Sequence, residues 1–121
     1  MIKQIEIAGS APALGPYSKG YVAGDFVYTS GQVGGGAAAG GIKEQAENAC
    51  KAVKEVLEAG GASMEQVVKT TCFLANIEDF AAFNEVYAKY FTSKPARSCF
   101  AVKQLPGDGN LCEIEAVAYI G

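Results

Sequence analysis

The residue types that could do chemistry in this chain are few, because none of its 121 residues is a histidine. A Ser-His-Asp triad, a histidine general base and an HExxH zinc site are therefore excluded. Catalysis would have to use carboxylates, arginine, lysine, tyrosine, serine, cysteine or backbone groups. The four cysteines are too widely spaced for CxxC metal or redox chemistry, and we expect reduced thiols and no metal or organic cofactor. They are Cys50, Cys72, Cys99 and Cys112.

Arg97 and Cys99 form the first candidate pair, because alternation along a strand places them on one face. The planar guanidinium of Arg97 could bind a substrate carboxylate through two hydrogen bonds. The ordinary alternative is a solvated arginine or a surface ion pair. Cys99 could be a nucleophile, but no histidine exists to activate it, so a small packed thiol is the favoured interpretation.

Glu113 and Glu115 are the second pair, and they share one face of an otherwise apolar strand. A buried carboxylate is costly unless it is paired, so one of the two could simply neutralise Arg97. The functional alternative is a carboxylate that positions a water molecule. A glycosidase also uses two carboxylates, but this chain lacks aromatic sugar platforms, which disfavours that class.

Two turn-rich segments offer further candidates. Gly15-Pro16-Tyr17 is most simply a β-turn followed by a packed tyrosine. Ser30-Gly31, at the end of a strand, could present a hydroxyl and a backbone N–H to an anion. A bulge or a strand exit is the more common role of such a dipeptide.

The elements that must position these residues follow from the apolar periodicity, which predicts the order β-β-β-α-β-α-β-β. No repeat or linker is visible, so residues 1–121 are predicted to form one α+β domain with a mixed sheet and both helices on one face. The predicted strands are one that opens with Ile2, Ile5 and Ile7, then Tyr21–Val22, Phe26–Thr29, Val67–Ala75, Arg97–Val102 and Leu111–Ile120. The predicted helices span Ile42–Ala59 and a segment that begins at the N-cap Asn76 and stops before Pro95.

Two details of this prediction concern the strands. Ala23-Gly24-Asp25 is predicted to be the turn of a β-hairpin. Val67–Ala75 is apolar on both faces, with Val68 expected on the face of Cys72 and Leu74. Because two helices cover only one face of a sheet that is apolar on both, we expect the other face to pack against further subunits in a homo-oligomer.

Charge and hydropathy limit the partners. The chain has 10 basic and 13 acidic residues, a net charge of −3, and no basic run. Nucleic acid and an anionic membrane are therefore disfavoured as partners. No apolar stretch of 18 residues and no charged-then-apolar leader is present, so we expect a cytoplasmic protein that does not span a membrane.

Several motifs, taken together and in order, resemble the Rid family of reactive intermediate deaminases, and most closely its RidA group of 2-iminobutanoate/2-iminopropanoate deaminases. The resemblance runs nearly end to end, and its most specific parts are the Pro-Ala-Arg-Ser-Cys segment and the later Glu-Ile-Glu-Ala. The motifs are Gly15-Pro16-Tyr17, Thr29–Gln32, Ile42-x-x-Gln45, Val68–Leu74, Phe83-Asn84-x-x-Tyr87-x-x-Tyr90-Phe91, Pro95–Cys99 and Glu113–Ala116.

The resemblance implies a chorismate-mutase-like fold, assembled as a homotrimer with three ligand clefts between subunits. It implies the hydrolysis of imines and enamines to 2-oxo acids and ammonia without a cofactor. In that family the arginine matching Arg97 binds the carboxylate of the 2-imino acid, and the glutamate matching Glu113 places or activates water. Further cleft-lining positions match Tyr17, Ser30, Gly31, Asn84 and Cys99.

Two stretches differ from the family pattern, and two other functions remain open. Relatives usually have a longer loop where this chain has the glycine- and alanine-rich residues 34–41, and Pro106–Asn110 is also enriched in glycine. One alternative function is a non-catalytic module that binds a 2-oxo acid through Arg97. The other is a chaperone-like or translation-related interaction protein.

Overall fold

Seven strands and two α-helices build the structure, a computed structural model that describes residues 1–121. Short 3-10 turns precede α1, β5 and α2. In chain order the elements are β1 Ile2–Ile5, β2 Gly20–Ala23, β3 Phe26–Thr29, β4 Gln32–Val33, α1 Ile42–Ala59, β5 Val67–Leu74, α2 Phe80–Tyr90, β6 Ala96–Ala101 and β7 Cys112–Tyr119.

The strands form one sheet in the order β1-β2-β3-β7-β5-β6, with β4 paired to β7 beside β3. All neighbours are antiparallel except β5 and β6, which are parallel and joined through α2. A parallel pair needs such a crossover, because its strands enter the sheet from the same end. The predicted α+β architecture with a mixed sheet and two helices is thus confirmed.

The hydrophobic core lies between the sheet and the two helices. Strand β7 shows how the sequence specifies it, because small and branched apolar side chains alternate with side chains that are less buried. Its core-facing residues are all buried: Cys112, Ile114, Ala116 and Ala118. Helix α1 contributes a buried stripe at spacings of three and four residues: Ala46, Ala49, Cys50, Val53, Val56 and Leu57. Asn76 accepts a hydrogen bond from the Glu78 N–H at 3.0 Å, as predicted for the cap before α2.

Most strand boundaries differ from the prediction by one or two residues, and the differences in β1 to β4 are the most informative. Strand β1 ends at Ile5, and Ile7 lies beyond it while still packing against the core. Ala23 pairs with Phe26, so the β2–β3 turn contains only Gly24-Asp25. Gly24 adopts a φ of +59°, which two-residue hairpin turns require and glycine supplies without strain. The continuation after Thr29 forms the separate strand β4, which pairs with β7.

The expected position of Val68 on the face of Cys72 is wrong, because β5 contains a bulge. Val67 pairs with Ala118 and Lys69 with Val117, so Val68 is an extra residue in β5. The side chain of Val68 is 46% exposed. Such an insertion exchanges the two faces of the sheet for the side chains on one side of the bulge. A pattern of apolar residues alone does not reveal this exchange.

The face of the sheet opposite the helices is left uncovered and carries aromatic side chains. Five of them are 38% to 45% exposed: Tyr21, Phe26, Tyr28, Phe100 and Tyr119. An aromatic sheet face of this kind is unusual for a surface in contact with water. We call these five residues the aromatic face. No helix of the protein is long and apolar enough to cross a membrane.

Candidate functional site

Arg97 lies on the helix side of the sheet, where α2 holds its guanidinium in place. Nη1 of Arg97 donates a hydrogen bond of 2.8 Å to Oδ1 of Asn84, one turn before Tyr87 on α2. Cζ of Arg97 lies over the ring of Tyr87, 4.7 Å from its centroid, and 5.5 Å from the centroid of Phe80. Arg97 takes part in neither of the two ion pairs of the chain, so its charge has no acidic side-chain partner.

A cavity of about 460 Å³ opens beside this arginine. Its lining residues come from α2 and from the loop that leads into β6: Asn84, Tyr87, Ala88, Phe91, Thr92, Lys94, Pro95 and Arg97. Asn84 uses only one of the five N–H groups that a guanidinium carries. Arg97 therefore has donors available for a small anion such as a carboxylate.

Cys99 behaves as a packed thiol. It lies on the same face of β6 as Arg97, pairs in register with Cys72 of β5 and packs against the core. Burial raises the pKa of the Cys99 thiol, and the nearby Arg97 only partly opposes that effect. Because a thiolate is the nucleophilic form, this environment favours the packed-thiol interpretation. Nowhere in the chain do three or more thiol and carboxylate groups cluster in a way that could hold a metal ion.

Glu113 belongs to a second cavity, of about 650 Å³, which lies at the opposite side of the sheet. Two loops and the ends of β4 and β7 form its walls. The lining residues are Leu14, Gly15, Pro16, Tyr17, Ser30, Gly31, Val33, Pro106, Gly107, Asn110, Glu113 and Glu115. This cavity therefore brings together four predicted site residues, namely Tyr17, Ser30, Gly31 and Glu113.

The carboxylate of Glu113 packs directly on the backbone of Gly31. A Cβ atom at position 31 would overlap Oε2 of Glu113, so only glycine permits this approach. Burial raises the pKa of Glu113, and repulsion from Glu115 raises it further. A carboxyl with a raised pKa exchanges protons closer to neutral pH, as a group that accepts and returns a proton during catalysis must do.

Ser30 and Tyr17 hold different positions in this cavity. The Ser30 hydroxyl donates to the carbonyl oxygen of Ser18 at 2.5 Å. The backbone N–H of Ser30 donates to the carbonyl oxygen of Lys19 at 2.8 Å. Ser30 therefore ties the segment around Tyr17 to β3. Tyr17 is 56% exposed, so the simple expectation of a packed tyrosine is wrong, and its ring forms part of the cavity wall.

Gln45 is a residue whose role sequence reasoning missed. It is completely buried in α1, and its Nε2 donates to the carbonyl oxygens of Gly36, Gly40 and Gly109 at 3.0 to 3.1 Å. Its Oε1 accepts from the Leu111 N–H at 2.8 Å. Gln45 thereby joins loop 34–41 to loop 106–110, which lines the Glu113 cavity. The available signal was a glutamine within the apolar stripe of an amphipathic helix.

The two groups of candidate residues do not meet within one chain. The helix side of the sheet holds Arg97, Asn84 and Cys99. Glu113 lies on the other face, where its register partner is Phe73 of β5. The buried ion pair between Arg97 and a glutamate, one of the alternatives, is not formed. Within one chain, Arg97 and Glu113 are thus separated by the sheet.

Comparison with known proteins identifies the family of this chain. Residues 8–120 match the family described as Endoribonuclease L-PSP, and the chain belongs to that family. It is 42% identical to a human protein named 2-iminobutanoate/2-iminopropanoate deaminase, over 100% of this chain and 93% of the human protein. The resemblance to the RidA group of deaminases is thereby confirmed.

Two solved structures are similar along nearly their whole length. One is an Entamoeba histolytica protein described as an endoribonuclease L-PSP, with a TM-score of 0.90 and 42% identity over 98% of this chain and 99% of that one. The other is E. coli TdcF with bound serine, with a TM-score of 0.88 and 36% identity over 98% and 99% of the two chains.

Proposed function

We propose that this protein hydrolyses 2-imino acids, such as 2-iminobutanoate and 2-iminopropanoate, to 2-oxo acids and ammonia. The observation that carries the proposal is the Arg97 guanidinium, which is held by Asn84 and has no acidic partner. A 2-imino acid bears a carboxylate next to its reactive carbon, so binding the carboxylate also places the C=N bond. The name of the human relative and the serine bound to TdcF, an amino acid with a carboxylate, are consistent with such a substrate.

The reaction asks little of the protein, because the carbon of a C=N bond is already electrophilic. Water adds to that carbon and gives a carbinolamine, which then releases ammonia and leaves a 2-oxo acid. Glu113 accepts a proton from the attacking water and returns it to the departing nitrogen. Orientation by Arg97 and charge stabilisation supply the rest, so the mechanism uses no metal or organic cofactor.

The placement of Arg97 and Glu113 on opposite faces of the sheet leads to the assembly that this mechanism requires. We infer a homotrimer in which each cleft joins Arg97, Asn84 and Cys99 of one subunit to Tyr17, Ser30, Gly31 and Glu113 of its neighbour. The aromatic face supports this inference, because exposed aromatic side chains on one face of a sheet are characteristic of a face that another subunit covers.

We further propose that this protein binds small molecules and that it is located in the cytoplasm. The description of the family speaks of an endoribonuclease. An RNA substrate would be attracted by a basic surface, whereas this chain has a net charge of −3 and no histidine to act as a general base. A small anionic substrate held by one guanidinium fits these properties better.

A coupled assay tests the proposal. A threonine or serine dehydratase generates the imine in place, and the appearance of the 2-oxo acid is timed with and without this protein. We expect the release of the 2-oxo acid to accelerate in proportion to the concentration of this protein. Unchanged release together with binding of 2-oxobutanoate would favour the alternative function, a sensor of 2-oxo acids that uses Arg97 without turnover.

A further inference from the structure

The ring beneath Arg97 is itself held from two sides. Tyr87 is buried and stacks on Phe91, with 4.4 Å between ring centroids and 23° between planes. Its hydroxyl shares a hydrogen bond of 2.6 Å with Oγ1 of Thr70, which is also buried. Thr70 is the register partner of Arg97 on the neighbouring strand. The aromatic ring therefore cannot withdraw from Arg97 without breaking both contacts.

The position of a guanidinium decides how well it binds a carboxylate. Two parallel N–H···O bonds form only when the planar fork faces the carboxylate edge to edge. A free arginine side chain has many rotamers, and fixing one of them on binding costs affinity. A guanidinium that already lies over an aromatic face is restricted to few rotamers before the ligand binds, so it loses less conformational freedom on binding.

We propose that Tyr87, anchored by Phe91 and Thr70, is the positioning residue that presents the Arg97 guanidinium to the substrate carboxylate. This inference rests on the proposed function, in which Arg97 is the carboxylate-binding group. Asn84 fixes one end of the guanidinium through Nη1, and the Tyr87 ring fixes its plane. Burial raises the pKa of Tyr87 to about 12, so the phenol stays neutral and keeps its bond to Thr70 at every physiological pH.

Ring chemistry at position 87 separates positioning from packing. Tyr87→Phe loses the hydrogen bond to Thr70 but keeps the ring and its stacking on Phe91, so binding of 2-oxobutanoate should stay within about threefold of wild type. Replacement of Tyr87 by 3,4,5-trifluorophenylalanine keeps the shape but weakens the negative ring face. Tyr87→Leu removes that face altogether, and we expect it to weaken binding by about tenfold, with the fluorinated ring in between.

Two controls and one independent measurement make the result specific to Arg97. Trifluorophenylalanine at Tyr90, which also lies on α2 but bonds to Glu47, should leave the affinity unchanged. In an Arg97→Gln background, Tyr87→Leu should cause no additional loss of 2-oxobutanoate binding, because the two residues act through one contact. Relaxation of the Arg97 Nε–H in NMR spectra should show a rigid side chain in Tyr87→Phe and a mobile one in the fluorinated protein, without any ligand.

The outcomes distinguish this inference from the proposed function. If the fluorinated protein binds 2-oxobutanoate like Tyr87→Phe, or its Arg97 stays equally rigid, the positioning role is overturned. The fluorinated ring keeps the packing, so this comparison holds even if Tyr87→Leu fails to fold. If wild type never accelerates imine hydrolysis while the fluorinated ring still loosens Arg97 and weakens binding, the proposed function fails and the positioning role stands.

Discussion

Glu113 combines an acidic side chain with surroundings that disfavour its charge. The carboxylate packs against Gly31, and burial followed by repulsion from Glu115 raises its pKa. The catalytic form that accepts a proton from water is the carboxylate. Activity should therefore be lost as pH falls through this raised pKa, at a higher pH than an ordinary glutamate would give, which a pH profile of kcat/KM measures.

Glu113→Gln should remove this acidic limb and lower kcat by about 100-fold or more, since an amide cannot accept the proton.

Folding stability should respond in the opposite direction. Because the folded pKa is raised, the charged form of Glu113 opposes folding at pH values above the usual glutamate range. Glu113→Gln should then be at least as stable as wild type at pH 7, as measured by urea unfolding. The matched control is Glu115→Gln. Full activity in Glu113→Gln would show that Glu113 does not activate water.

Cys99 leads to the opposite expectation. Its thiol is protonated and packed beside Cys72, and water rather than sulfur must attack the imine. Cys99→Ala should therefore keep kcat within about threefold of wild type, while an alkylating reagent on wild type inhibits by blocking the space next to Arg97. A folded Cys99→Ala protein that binds 2-oxobutanoate but no longer turns over imine would show that the thiol takes part in the reaction.

The sequence identified the candidate residues more readily than their arrangement. Arg97 and Cys99 share a strand face because alternation is local, and the pair of Glu113 and Glu115 follows from the same rule. That Glu113 lies on the face opposite Arg97 depends on the order of strands and the sense of their pairing. Those relations are made between distant parts of the chain, and local periodicity does not contain them.

Elements position this site through loops that one side chain ties together. Gln45 makes four hydrogen bonds from within α1 to loop 34–41, loop 106–110 and Leu111, the residue before β7. The glycine-rich composition of both loops gives them little structure of their own. The wall of the Glu113 cavity therefore depends on an amide that points out of the helix into the loops.

Gln45→Leu should keep the volume but leave three carbonyl oxygens and one N–H without their partner. With about 1 to 3 kcal/mol for each buried group left unpaired, the free energy of unfolding should fall by about 3 kcal/mol or more. Urea unfolding measures the loss. The control is Asn48→Ala on the same helix. Asn48 is exposed and donates one hydrogen bond to the carbonyl oxygen of Gly34, so this variant should lower the free energy of unfolding by about 1 kcal/mol or less. Equal effects of the two variants would contradict the account of Gln45.

At the element scale the prediction succeeded where periodicity is long and failed where one residue changes it. The 18 residues of α1 show five turns of apolar spacing, which is a strong signal. The bulge at Val68 is a single inserted residue, and β4 has only two residues, so neither has a pattern of its own. Gln45 was unassigned because its partners are backbone atoms, which leave no mark on the sequence.

For the whole molecule, the exposed aromatic face leads to a prediction about assembly. We predict a trimer in solution, with a mass by light scattering three times the chain's 12.5 kDa. Tyr28→Glu combined with Tyr119→Glu should shift the mass toward the monomer, because charge on a covered face is costly. Lys54→Glu, on the exposed side of α1, is the control. A monomeric wild type at micromolar concentration would contradict the predicted assembly.

In the proposed trimer, Arg97 of one subunit and Glu113 of its neighbour form each hydrolytic cleft. Mixed trimers of Arg97→Gln and Glu113→Gln chains, made by co-expression and assayed with dehydratase-generated imine, test it directly. Each variant alone should be nearly inactive, whereas random mixing should restore about a quarter of the wild-type activity, since each cleft takes its two residues from independent chains. If mixed trimers form but stay as inactive as their parents, the two residues do not meet across subunits and the account is wrong.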